Sequence, residues 1–259
     1  MAAVVVISAS SLYTWLTWWQ KWGVAFTGSR PATCMPDSCF CEAIRAQGLA
    51  QPMNTWSCLG FVVCGVAIFF DHTTSLHRGD TQSAISNVQS LLYGAALVLV
   101  GFGSAIYHAS LTFFGQFVDV FAMYLIVTLL AICELGLIKR LSPTTIILGY
   151  IVTNVVLAAL LWTHPAARRY MFAALVLMVI VLDLAARRRG VALRAKYFWQ
   201  AVLVLAIGFA IWIADITRTL CAPYSPLQGH GVWHIAGAIA SALMYVYFRQ
   251  GSPPEEASA

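Results

Sequence analysis

The sequence predicts an all-α fold: a polytopic membrane bundle of seven transmembrane helices. Three observations lead there. Of 259 residues, 60% are hydrophobic and only 10% charged, against about 45–50% and 25% in soluble domains. The apolar runs reach bilayer length, and runs that long and that free of charge are helices, whose backbone polar groups are satisfied within the segment. The basic residues collect between the runs. Membrane topology therefore accounts for the net charge of +5, and no nucleic-acid partner is implied.

Spans are predicted at 53–70, 88–111, 117–138, 144–162, 170–184, 198–220 and 231–248. The connections are short, which predicts one bundle with antiparallel neighbours. The fifth span is the shortest, with Asp183 near its end beside Arg187, Arg188 and Arg189, its expected partners. Ahead of the spans, residues 2–19 are apolar, with Trp15, Trp18, Trp19 and Trp22 at helical spacing, and read as an interfacial helix; an eighth span is the alternative. The chain thus divides into an N-terminal interfacial helix and outer loop (1–52), the seven-helix domain (53–249) and a polar, disordered tail (250–259).

Orientation follows from Lys and Arg. Arg78, Lys139, Arg140, Arg187–Arg189, Arg194, Lys196 and Arg249 share one face. The opposite face receives Lys21, Arg30, Arg45, Arg168, Arg169 and Arg218. The first set is larger and closer to helix ends, so that face is expected in the cytoplasm, with the N-terminus outside and the C-terminus inside. Cys34, Cys39, Cys41 and Cys221 all fall on the outer side, as disulfides require.

Two helix-spaced pairs carry the chemistry: Ser104 with His108, and His230 with His234. Residues four apart share a helix face. Ser104 and His108 end the second span, Asp119 opens the third, and the histidine pair opens the seventh, so all five are expected at one depth in the outer half. Ionisable groups at that depth mark functional sites by default. Three histidines suffice for a catalytic zinc with an open position. Asp119 is then the available base and Ser104 the oxyanion donor, because Gly231 stands where a soluble metalloprotease motif has its Glu. Singly, each residue also has a packing, capping or relay reading; the convergence of five favours a metal site.

At these residues the chain resembles the alkaline ceramidase family, within a superfamily of seven-span membrane hydrolases and adiponectin-type receptors. The shared pattern is Ser104, His108, Asp119 and His230-x-x-x-His234, flanked by Asn54-Thr55-Trp56-Ser57 and Trp212-Ile213-Ala214-Asp215. The resemblance implies that His108, His230 and His234 bind Zn2+, that Asp119 activates water, and that Ser104 supports the oxyanion. It implies hydrolysis of a linear amide C–N bond in a ceramide-like membrane lipid. A lipid esterase and a non-catalytic lipid receptor are the alternatives within the superfamily. It further implies pairing of Cys41 with Cys221, with Cys34 and Cys39 as a candidate second bridge. Of the family's acidic calcium site, Glu42 is retained while Gln51, Cys39 and Ile44 replace other ligands. Calcium prefers 6–8 hard oxygens, so strong Ca2+ binding is not expected here. Asp215 is expected to be structural.

Overall fold

The structure is a computed structural model and describes residues 29–35, 39–78, 85–139, 141–191 and 193–249. The interfacial helix expected at 2–19 and the tail at 250–259 lie outside these residues. The helices are α1 (Pro52–Ser57), α2 (Leu59–Arg78), α3 (Asn87–Ser110), α4 (Phe113–Ile138), α5 (Pro143–Thr163), α6 (Arg168–Arg188), α7 (Ala195–Ile216) and α8 (Gly229–Arg249), with a 3-10 turn at Pro165–Ala167 before α6. Together α1 and α2 make the first of seven segments long and apolar enough to cross a membrane. All seven expected spans are present. The fifth extends further than its apolar core, so Asp183 lies inside it, and the sixth ends at Ile216 rather than 220.

Local chemistry sets the ends. Ser86 caps α3 in a capping box with Gln89, Thr112 caps α4 through the Gly115 N–H, and Ser142 caps α5 ahead of Pro143. Between α3 and α4 the chain reverses at Leu111, which takes a left-handed conformation (φ 48°). That reversal is sharp enough to bring the last turn of α3 level with the first turns of α4. The Thr112 region also bridges to Pro31 in the N-terminal loop, where Ala32 N–H donates to the Leu111 carbonyl at 2.9 Å.

Packing is consecutive around most of the bundle. α8 packs on α2, α2 on α3, α3 on α4 and α4 on α6, while α7 packs on α8 and α5 lies outside against α4. α2 and α3 meet backbone to backbone: a Cβ at Gly65 would stand 2.7 Å from the Gly94 carbonyl oxygen. Although consecutive, α6 and α7 are not packed along their lengths. An apolar cavity lies between them, lined by Phe172, Val176 and Val179 of α6 and by Ala201, Leu205 and Phe209 of α7.

Each end of the bundle holds buried polar groups. At one, Asp183 is fully buried and accepts Arg187 Nε at 2.7 Å, Arg187 Nη2 at 2.8 Å and the Tyr247 hydroxyl at 2.7 Å. The pairing expected from the arginine cluster is therefore made by Arg187. Nearby Glu134 is also fully buried, and neither of its oxygens has a hydrogen-bond partner. The other end carries the histidines.

Candidate metal centre

All five residues singled out in the sequence lie at this second end and all are buried. His108 is in the last turn of α3, and Ser104 one turn before it. Asp119 lies in the second turn of α4, and His230 and His234 occupy the first two turns of α8. One nitrogen from each of the three imidazoles falls within 4.8 Å of the others. The Nε2 atoms of His108 and His230 are 3.0 Å apart. The Ser104 hydroxyl is 3.3 Å from His234 Nε2. Ser104, Asp119, His230 and His234 all line the head of the apolar cavity.

Hydrogen bonds fix which imidazole nitrogens are free. His108 Nδ1 donates to Gln51 Oε1 at 3.1 Å. Gln51 is held in that orientation because its amide Nε2 donates to the Glu42 carbonyl at 3.1 Å. His234 Nδ1 donates to the Ser57 hydroxyl at 2.8 Å, and that hydroxyl in turn donates to the Asn54 carbonyl. In both rings the proton therefore sits on Nδ1, leaving Nε2 as a bare lone pair. This is the outer-shell arrangement that orients metal-bound histidines.

His230 is placed through its backbone. Its N–H donates to Asp215 Oδ2 at 3.0 Å, while Asp215 Oδ1 accepts the Cys41 N–H at 2.9 Å. Fully buried Asp215 thus ties the start of α8 to the N-terminal loop, the structural role expected of it. Phe40 stacks on the His230 ring at 3.8 Å between centroids. Disulfides Cys34–Cys39 and Cys41–Cys221 fasten the loop that carries Phe40.

Gly231 has a steric reason for standing beside His230. A Cβ there would stand 3.3 Å from Ser57 Oγ, so glycine lets α1 approach closely enough for Ser57 to reach His234. Glu42 is buried, and its two oxygens accept the Met53 and Asn54 N–H groups at 2.8 Å each, capping α1. Burial pushes its carboxyl above the ordinary range, against the pull of these two donors.

The donor set fits a zinc ion. The Nε2 atoms of His108 and His230, 3.0 Å apart, need a cation or a proton between them. That spacing suits two ligands each about 2.0–2.1 Å from one ion. Unlike the other two rings, His230 has no hydrogen-bond partner at Nδ1. Three imidazoles with a hydroxyl and a carboxylate beside them could therefore hold a metal ion.

Gln51, Ser57 and Phe40 were not identified as site residues from the sequence. Ser57 belonged to the Asn54–Ser57 motif and Gln51 counted only as a lost calcium ligand. The signal available was Pro52, which marks a helix start directly after Gln51.

Fold and site together define a seven-helix, multi-pass membrane protein with a buried three-histidine centre able to hold a metal. Comparison with known families gives the particular one. The family described as Ceramidase matches residues 37–253, and the chain belongs to it. Membership implies, in general terms, hydrolysis of an amide bond in ceramide, a membrane lipid. No curated protein matches the chain.

Proposed function

We propose that this protein is a zinc-dependent intramembrane amidase that hydrolyses ceramide to a fatty acid and a sphingoid base. One observation carries the reading: three imidazoles, two of them oriented by hydrogen bonds at Nδ1, meet at the head of an apolar cavity, beside Asp119 and Ser104. His108, His230 and His234 hold the zinc, which when bound lowers the pKa of water to about 7 and polarises a carbonyl. The Asp119 carboxylate takes a proton from the attacking water and passes it to the amide nitrogen as the C–N bond breaks. The Ser104 hydroxyl donates to the carbonyl oxygen as negative charge builds there.

The cavity between α6 and α7 receives the acyl chain. Along α4 it runs from Gln116 to Leu130, about 21 Å at the helical rise of 1.5 Å per residue. One leaflet's share of the hydrocarbon core is about 15 Å, so a full-length chain fits. Both disulfides lie at the histidine end, which supports placing that end on the outer, oxidising side with the C-terminus in the cytoplasm. Calcium forms no part of the reading, because α1 uses both Glu42 oxygens.

The test is fatty-acid release from a C18 ceramide by detergent-purified protein, with and without a zinc chelator. Release that chelation abolishes and added zinc restores is the expected result. Release unaffected by metal removal would overturn the metal's role. Cleavage of phospholipid esters with none of ceramide would replace the amidase with an esterase. A tightly bound zinc with no lipid turned over would favour a receptor.

A further inference from the structure

The apolar cavity has a floor, and four helices set it at one level. Furthest from the histidines, its wall ends at Leu130 on α4, Val179 and Ile180 on α6, Phe198 on α7 and Met244 on α8. One turn further on, four residues along α4, α6 and α8, stand Glu134, Asp183 and Phe248, all fully buried and none of them in the wall. Phe198 is the one aromatic side chain among the end residues, and although it borders the cavity it is only 1% exposed. It is backed from beneath. The Tyr247 ring packs against it with 5.5 Å between centroids, and the Arg187 guanidinium lies 5.8 Å from its centre. Arg187 also donates to the Leu193 carbonyl, just ahead of α7, at 3.3 Å. α6 and α7 stand apart beside the cavity but are joined below it, and the gap between them ends there.

A floor limits what the cavity can hold. From Asp119 to Leu130 the α4 wall runs about 17 Å at 1.5 Å per residue. One leaflet's share of the hydrocarbon core is about 15 Å, so an acyl chain of that reach fills the space from the reacting carbonyl down to Phe198. A longer chain must displace Phe198 or bend back on itself. The layer below offers it no apolar room, only the Arg187–Asp183 ion pair and the bare Glu134 carboxyl. Overfilling a packed apolar space is destabilising.

We propose that Phe198 sets the upper limit of acyl length, so that the protein takes chains that span one leaflet and discriminates against very long ones. The length preference rests on the amidase reading for its substrate, whereas the floor is also tested by binding alone.

The experiment measures kcat/KM on C12, C18 and C24 ceramides with full-length protein in detergent, and competition among the same three lipids for binding. The parent is expected to prefer C18 over C24 at least about tenfold. Phe198→Ala removes the floor side chain and should raise the C24-to-C18 ratio at least about tenfold. Phe198→Leu, which keeps the core better filled, should raise it less. Ala201 lies one turn up from Phe198 and also lines the cavity, so Ala201→Leu tests the opposite direction and should lower the C18-to-C12 ratio. Metal content at the parent level in each variant separates a moved floor from a damaged centre. A parent profile that is flat from C18 to C24 overturns the proposal, since the chain end then leaves between α6 and α7. A preference unmoved by both Phe198→Leu and Ala201→Leu overturns it as well, even if Phe198→Ala fails to fold. Length-dependent binding that shifts in these variants without cleavage of any ceramide would keep the floor and remove the amidase. Cleavage of ceramide with no length preference would do the reverse.

Discussion

The two ends of the bundle both bury polar groups, to different effect. At the Asp183 end, a carboxylate meets a guanidinium and a tyrosine hydroxyl, and each of these contacts is completed within the protein. At the histidine end, hydrogen bonds stop one atom short: Gln51 and Ser57 satisfy Nδ1 of His108 and His234 and leave their Nε2 lone pairs in the histidine cluster. Burial and polarity alone do not separate function from structure inside a membrane protein. What separates Asp183 from the histidines is whether the donors and acceptors close on one another or leave ligand atoms facing a common point.

Substitutions can break or sharpen that contrast, and the largest effect is expected at Asp119. Asp119→Asn should keep its metal by elemental analysis while kcat falls about 10²–10⁴-fold, the range of general acid–base catalysis. Retained turnover would remove Asp119 as the base. Asp183→Ala should cost about 3–5 kcal/mol in a denaturation assay, because it strands a partly buried guanidinium. Metal content and kcat of the folded fraction should stay at the parent values; loss of metal would erase the distinction between the ends. Gln51→Leu removes the acceptor for His108 Nδ1–H and should weaken zinc affinity about 10–100-fold in a competition titration. Unchanged affinity would mean that His108 is oriented by packing alone. The smallest effect is expected at Glu134, whose buried oxygens lack partners. Glu134→Leu should leave Tm unchanged or raise it, since exchanging an unsatisfied buried polar group for an apolar one is close to neutral or favourable. A drop of several degrees would show that this carboxyl has work at the structural end.

How much of this was legible in the sequence depended on the range of the interaction. The spans were plain, because bilayer-length apolar runs allow one reading. Ser104, His108, His230 and His234 were legible because a four-residue spacing places side chains together within one helix. Asp119 followed from the alternating direction of the spans. The outer shell was hidden for the converse reason. The contact from Gln51 to His108 crosses 57 residues and that from Ser57 to His234 crosses 177, and no local period encodes either. The helix-capping contacts of Glu42 were hidden for a physical reason too: a carboxylate that caps a helix and one that binds calcium are the same residue type in a loop. The separation of α6 from α7 was invisible, since short connections predict neighbours and do not say how far those neighbours splay.

Phe40 lies against the His230 ring as a stopper, and the two disulfides hold its loop in place. Its ring covers one face of the His230 imidazole. For a metal held by the three histidines, that loop would bear on how fast the ion exchanges: reducing both bridges should speed its loss without removing a single ligand.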